Sequence, residues 1–133
     1  MKTSLIFLLL ACGLAGAATR PAAPEQASAD LRAQIQAQIA DNACDSSRQC
    51  HTLPMGAKAC GGPDNYVAWS DKTVDGDKLK QLADNYAAAR RADNLRLHLM
   101  STCVVTPDPG ATCRAGRCVL LPPGPGNGAT SAQ

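Results

Sequence analysis

Ala111-Thr112-Cys113-Arg114-Ala115-Gly116-Arg117-Cys118-Val119-Leu120-Leu121 is the stretch on which the fold turns. Two short runs of β-branched and apolar residues flank Ala115-Gly116, which predicts an antiparallel hairpin with a two-residue turn. Arg114 and Arg117 close that turn, so Cys113 and Cys118 face each other across the strands. Either they bond to one another, or both point into a core and meet other cysteines. Six cysteines lie in one region of the chain: Cys44, Cys50, Cys60, Cys103, Cys113 and Cys118. Six admit many pairings, and spacing does not choose among them. A bond from the Cys44–Cys60 region to the Cys103–Cys118 region closes a long loop, the arrangement that stabilises most in the chain-entropy picture. At least one such cross-link is expected.

The seventh cysteine, Cys12, stands apart in Leu9-Leu10-Ala11-Cys12. Lys2 and the apolar run from Leu5 to Leu10 form the charged and hydrophobic regions of an export signal. That run is far short of the ~20 apolar residues a membrane-spanning helix needs. Leu9-Leu10-Ala11-Cys12 resembles the lipobox of bacterial lipoproteins, with Leu10 in place of the small residue usual there. The resemblance implies cleavage before Cys12, acylation of that cysteine and a membrane-anchored protein. Gly13, where inner-membrane lipoproteins often carry Asp, implies an outer-membrane destination. The alternative is ordinary cleavage after Ala15-Gly16-Ala17, which discards Cys12 and leaves a periplasmic or secreted protein. Both routes lead to an oxidising compartment, where disulfides form.

The sequence divides into a signal peptide (1–11), a flexible lipid-anchored tether (12–27), a cysteine-rich domain (28–121) and a Pro/Gly tail expected to be disordered (122–133). The whole chain carries a formal net charge of +2, and its longest basic run is Arg90-Arg91. No basic face marks a nucleic-acid partner. Beyond the signal the only aromatics are Tyr66, Trp69 and Tyr86, and alanine is abundant. Such a core is thin, and small exported domains of this kind rely on disulfides.

Within the domain, Leu31, Ile35 and Ile39 recur at helical spacing over Ser28–Asn42, a helix that Ser28 can cap. Leu79, Leu82, Ala83 and Tyr86 predict a second helix over Asp77–Asn94, capped by Asp75 or Asp77, with Tyr86 in the core. Tyr66–Ser70 and Thr102–Thr106 read as strands, the latter ended by Pro107 and Pro109. The expected class is α+β: two helices with a short antiparallel sheet, stapled by disulfides.

Chemistry-bearing motifs are sparse. His51 and His98 are the only histidines, and neither adjoins a recognisable nucleophile. Asp71, Asp75 and Asp77 precede the second helix, where capping explains them better than calcium. Without a C-x-x-C pair, zinc is disfavoured and the Cys50-His51 dipeptide does not complete a haem-attachment motif. No catalytic residue, metal or cofactor is expected. Gly56-Ala57-Lys58-Ala59-Cys60-Gly61-Gly62-Pro63 demands a special backbone path. This G-x-K-x-C-G-G-P pattern, with Tyr66, Ser70, Cys103 and the closing C-x4-C, resembles uncharacterised small cysteine-rich exported proteins of bacteria. The resemblance covers about residues 44–120 and implies a secreted disulfide domain without a defined activity. The expected function is a binding or inhibitor-like module of the cell envelope, its partners the membrane through the anchor and an envelope or extracellular protein. A small exported hydrolase and a structural envelope component are the alternatives.

Overall fold

A computed structural model describes residues 24–122. Cys12, the signal, most of the tether and the tail beyond Pro122 lie outside the described residues. The element order is α1 (Pro24–Gln38), a 3-10 turn (Ser47–Gln49), β1 (Cys50–Met55), β2 (Asn65–Ser70), α2 (Gly76–Arg96), β3 (Ala111–Arg114) and β4 (Arg117–Leu120). The class is α+β, but the strands form two separate two-stranded antiparallel sheets, β1-β2 and β3-β4, not one.

Helix α1 starts a turn earlier than expected. Proline suits the first helical position because the N–H it lacks would have no partner there. Ser28 is therefore not a cap. It is buried inside the helix, and its hydroxyl donates to the Glu25 carbonyl at 3.1 Å. The helix also stops short of Asn42, because the following backbone is drawn into the second sheet. Cys118 N–H donates to the Asn42 carbonyl, Cys44 N–H donates to the Gly116 carbonyl, and Ala43 pairs with Arg117. The apolar stripe is as narrow as its spacing indicates: Ile35 is fully buried, while Leu31 and Ile39 are half-buried.

Helix α2 is capped by Asp75, whose carboxylate accepts from the Asp77 and Lys78 amides at 3.1 and 3.2 Å. The Lys78 amide bond in particular holds that carboxyl below its ordinary pKa. Gly76 is required by packing: a Cβ there would come within 2.7 Å of the Trp69 ring. Leu79, Ala83 and Tyr86 join Ile35, Leu53, Met55 and Val74 in the aliphatic core between the helices and the first sheet.

Strand β1 is absent from the sequence reading. Its Pro54 is tolerated because β1 pairs on one side only, with β2, in the register Cys50↔Ser70 to Met55↔Asn65. Thr102–Thr106, read as a strand, is irregular instead. Its backbone finds no strand partner, and the Val104 carbonyl accepts from the Lys58 ammonium.

The hairpin β3-β4 forms as predicted, with Cys113 opposite Cys118. The two do not bond to each other. Cys44 bonds Cys113, Cys50 bonds Cys118 and Cys60 bonds Cys103. Cys44, Cys50 and Cys118 make a second buried cluster, packed with Ala68, Ala111 and Cys113, that welds one hairpin to the other. Ser70, fully buried beside it, donates its hydroxyl to the Ala43 carbonyl at 2.7 Å.

Both turn residues of the β3-β4 hairpin have positive φ, +49° at Ala115 and +74° at Gly116. An alanine there costs about 1 kcal/mol that asparagine largely avoids. Ala115→Asn is therefore expected to raise the thermal midpoint by roughly 4–8 °C, the shift about 1 kcal/mol gives in a domain of this size. Calorimetry of the two proteins checks this, and an unchanged or lowered midpoint would contradict the turn assignment.

Candidate functional site

The most unusual surface of the protein lies where α2 ends. The Leu99 amide donates to the Asn94 carbonyl at 2.9 Å and the His98 amide to the Leu95 carbonyl at 3.4 Å. These two bonds form a Schellman cap, and His98 occupies the left-handed position that glycine normally takes, at φ +50°. The chain leaves the cap as a long irregular segment, residues 97–110, before entering β3.

That segment is pinned to the β1-β2 loop at several points. Cys103 bonds Cys60. The Lys58 ammonium donates to the Val104 carbonyl at 2.6 Å and to the Thr106 hydroxyl. The Cys60 amide donates to the Ser101 hydroxyl at 3.4 Å, and the Thr52 hydroxyl donates to Asp108 at 2.7 Å. From α2, the buried Asn94 amide donates to the Ala57 carbonyl at 2.8 Å. Gly61 and Gly62 take positive φ, +100° and +77°, which lets the loop turn back under the bridge. The special backbone path implied by Cys60-Gly61-Gly62-Pro63 thus serves to hold this segment.

The pinned segment nevertheless turns its apolar side chains outward. Met100 is 96% exposed, Val105 82% and Leu95 79%, and Val104, Leu97 and Leu99 are also exposed. A shallow groove of about 630 Å³ is lined by Leu95, Leu99 and Met100, with Lys58, Arg91 and His98 in its walls. Single exposed apolar residues are ordinary, but a concentration on one short segment marks an interaction surface. Next to the groove-lining Asn94 in α2 is the buried Asp93. The Ser28 hydroxyl and the Arg96 guanidinium, 3.1 Å away, hold the Asp93 carboxyl below the usual carboxylate range. Asp93 is thus charged and already neutralised, which leaves Arg91 uncommitted beside the groove.

The residues singled out in the sequence are scattered. His51 lies in β1, 2.9 Å from the Asp71 carboxylate and 4.9 Å, centroid to centroid, from the Trp69 ring. Such a pair can move a proton, but Ser70, next in β2, is fully buried with its hydroxyl committed to Ala43. His98 is far along the chain in the α2 cap and has no bond to His51. Asp71 pairs with His51 and Asp75 caps α2, so these two carboxylates have structural partners. The sulfurs of Cys44, Cys50 and Cys113 lie within 4.8 Å of one another because two bridges stack there.

Sequence reading missed the apolar surface. Its signal was present in Leu95-Arg96-Leu97-His98-Leu99-Met100 and Val104-Val105, where six apolar residues fall on the stretch ahead of Pro107. A second groove, of about 680 Å³, lies between α1 and β2. It is more polar, lined by Glu25, Arg32, Gln36, Asp64 and Arg90, with Arg90 and Asp64 paired at 3.8 Å. Among the described residues no helix is long and apolar enough to cross a membrane. Comparisons with protein-family models, curated proteins and solved structures find no match.

Cys60 and Cys103 are both exposed, whereas Cys44, Cys50 and Cys118 are buried. Because exchange requires access to a sulfur, a mild reductant is expected to open Cys60–Cys103 first. Alkylation followed by peptide mass analysis should label Cys60 and Cys103 before any other cysteine. Earlier labelling of Cys50 or Cys118 would contradict this account of how the segment is held.

Proposed function

We propose that this chain is an exported, lipid-anchored cell-envelope protein whose domain is a binding or inhibitor-like module, with residues 95–105 as its binding surface. The observation that carries the reading is the combination of outward-facing apolar side chains with a covalently held backbone. Met100 and Val105 are almost fully exposed, yet the segment bearing them is tied down by Cys60–Cys103 and by Lys58. A backbone fixed before binding loses little conformational entropy on association, so apolar contacts made there convert efficiently into affinity. Disulfide-held loops on small domains suit inhibition of another protein for the same reason. The lipobox resemblance at Cys12 supports attachment to a membrane, the outer one in a two-membrane cell, and the three bridges fit an oxidising compartment. A hydrolytic role has less support, because the His51–Asp71 pair lacks an exposed hydroxyl beside it on β2.

Two measurements test the reading. The intact mass of protein taken from membranes should correspond to a chain beginning at Cys12 with added acyl mass; a chain beginning at Ala18 without lipid would rule out the anchor. Cross-linking in whole cells should then give adducts, to protein or to lipid, that disappear in the Met100→Asp/Val105→Asp variant and persist in Lys80→Glu, near the other end of α2. Equal adducts from both variants would remove the 95–105 segment from the binding role.

A further inference from the structure

We propose that the 95–105 surface seats on an anionic lipid bilayer, with Leu95, Met100 and Val105 in the interfacial region and Arg91 toward the lipid phosphates. This identifies the occupant of the binding surface described above and rests on that assignment. Three independent observations favour lipid over a soluble protein.

The first is charge. No acidic residue occurs between Asp93 and Asp108, while Arg91 lies beside the apolar segment and Lys58 borders it. Asp93 is 2% exposed and paired with Arg96, so its charge is not presented outward. The surface is apolar with a cationic rim, the combination that binds anionic interfaces.

The second is the form of the apolar display. The side chains project from an irregular, cross-linked segment and not from a continuous helix or strand face. Insertion into a fluid interface needs no matching contour, whereas a protein partner would need one.

The third is where the chain leaves the described domain. Helices α1 and α2 run antiparallel. Ser28, near the start of α1, lies beside Asp93 near the end of α2, and the Thr73 hydroxyl before α2 donates to the Asp41 carbonyl after α1. Pro24, the first described residue, therefore emerges at the end of the molecule that carries residues 95–105. In the anchored protein only residues 13–23 separate the acylated Cys12 from Pro24, a reach of at most about 40 Å when fully extended. The tether leaves the domain at this end, which favours it over the disulfide-welded hairpins as the face nearest the membrane.

The test uses the full chain carrying Cys12→Ala, exported and collected without its lipid, with its N-terminus read by intact mass. It is mixed with sedimentable vesicles of phosphatidylcholine alone or of phosphatidylcholine and phosphatidylglycerol in equal parts. Binding to the anionic vesicles is expected to be tighter by roughly tenfold or more, to weaken in high salt, and to be lost in Leu95→Asp/Met100→Asp added to the same chain. Arg91→Gln, which leaves the Asp93–Arg96 pair intact, should lose much of the preference for the anionic vesicles. Equal affinity for both vesicles, or anionic binding that survives Leu95→Asp/Met100→Asp, would overturn the proposal. So would absence of vesicle binding alongside a Met100-dependent protein adduct, which would assign the surface to a protein. An unacylated Cys12 in the wild-type protein would remove the anchor while leaving the vesicle result to stand or fall by itself.

Discussion

Everything in this domain depends on the stacked bridges Cys44–Cys113 and Cys50–Cys118. They join the chain before α2 to the chain after it, across separations of 69 and 68 residues. The two hairpins share no strand pairing, and only the single bridge between Ala43 and Arg117 extends the second sheet. The sulfur cluster is therefore what makes one body of two small sheets. Each such bridge contributes typically about 2–4 kcal/mol, against a net stability of about 5–15 kcal/mol for an ordinary domain. The aliphatic core, with Tyr86 as its one buried aromatic, could not lose them cheaply.

The third bridge has a different role. Cys60–Cys103 is exposed and lies away from the sulfur cluster, and it holds a segment that buries almost none of its own apolar side chains. A free loop of that composition would collapse onto the protein or sample many conformations. Pinned by the bridge, by Lys58 and by the Schellman cap with His98 in a left-handed position, it stays extended outward. A non-glycine residue in that conformation and a display of solvent-facing methionine, leucine and valine both carry a cost. Neither serves the stability of the domain, which is why the binding role is placed there.

Much of the fold was legible in the sequence. The Ala115-Gly116 hairpin, the apolar spacing of α2, its cap at Asp75 or Asp77 and the core position of Tyr86 follow from local rules that the tertiary structure does not override; of the disulfides, only the presence of a long-range cross-link was legible, not the pairing. The failures share a cause. Strand β1 contains Pro54, and only tertiary context tells that this strand has one free edge. Thr102–Thr106 has strand-like composition, but its Val104 carbonyl and Thr106 hydroxyl are claimed by Lys58 from another loop. Ser28 resembles a cap, yet it is buried against the end of α2. The apolar surface was missed for a related reason: composition indicates that leucines and valines should be buried, and only the positions of Cys60 and Cys103 turn them outward.

Disulfide mapping of the unreduced protein is the most direct test of the account. Trypsin cuts after Arg48, Lys58, Arg114 and Arg117, and cleavage before Asp108 separates Cys103 from Cys113, so every cysteine falls on its own peptide. The account predicts linked peptides joining Cys44 to Cys113, Cys50 to Cys118 and Cys60 to Cys103. A Cys113–Cys118 bond would contradict it, because the two hairpins would then have no covalent weld between them, and so would any bond within the Cys44–Cys60 region, which would remove at least one of the stacked bridges or the Cys60–Cys103 bridge.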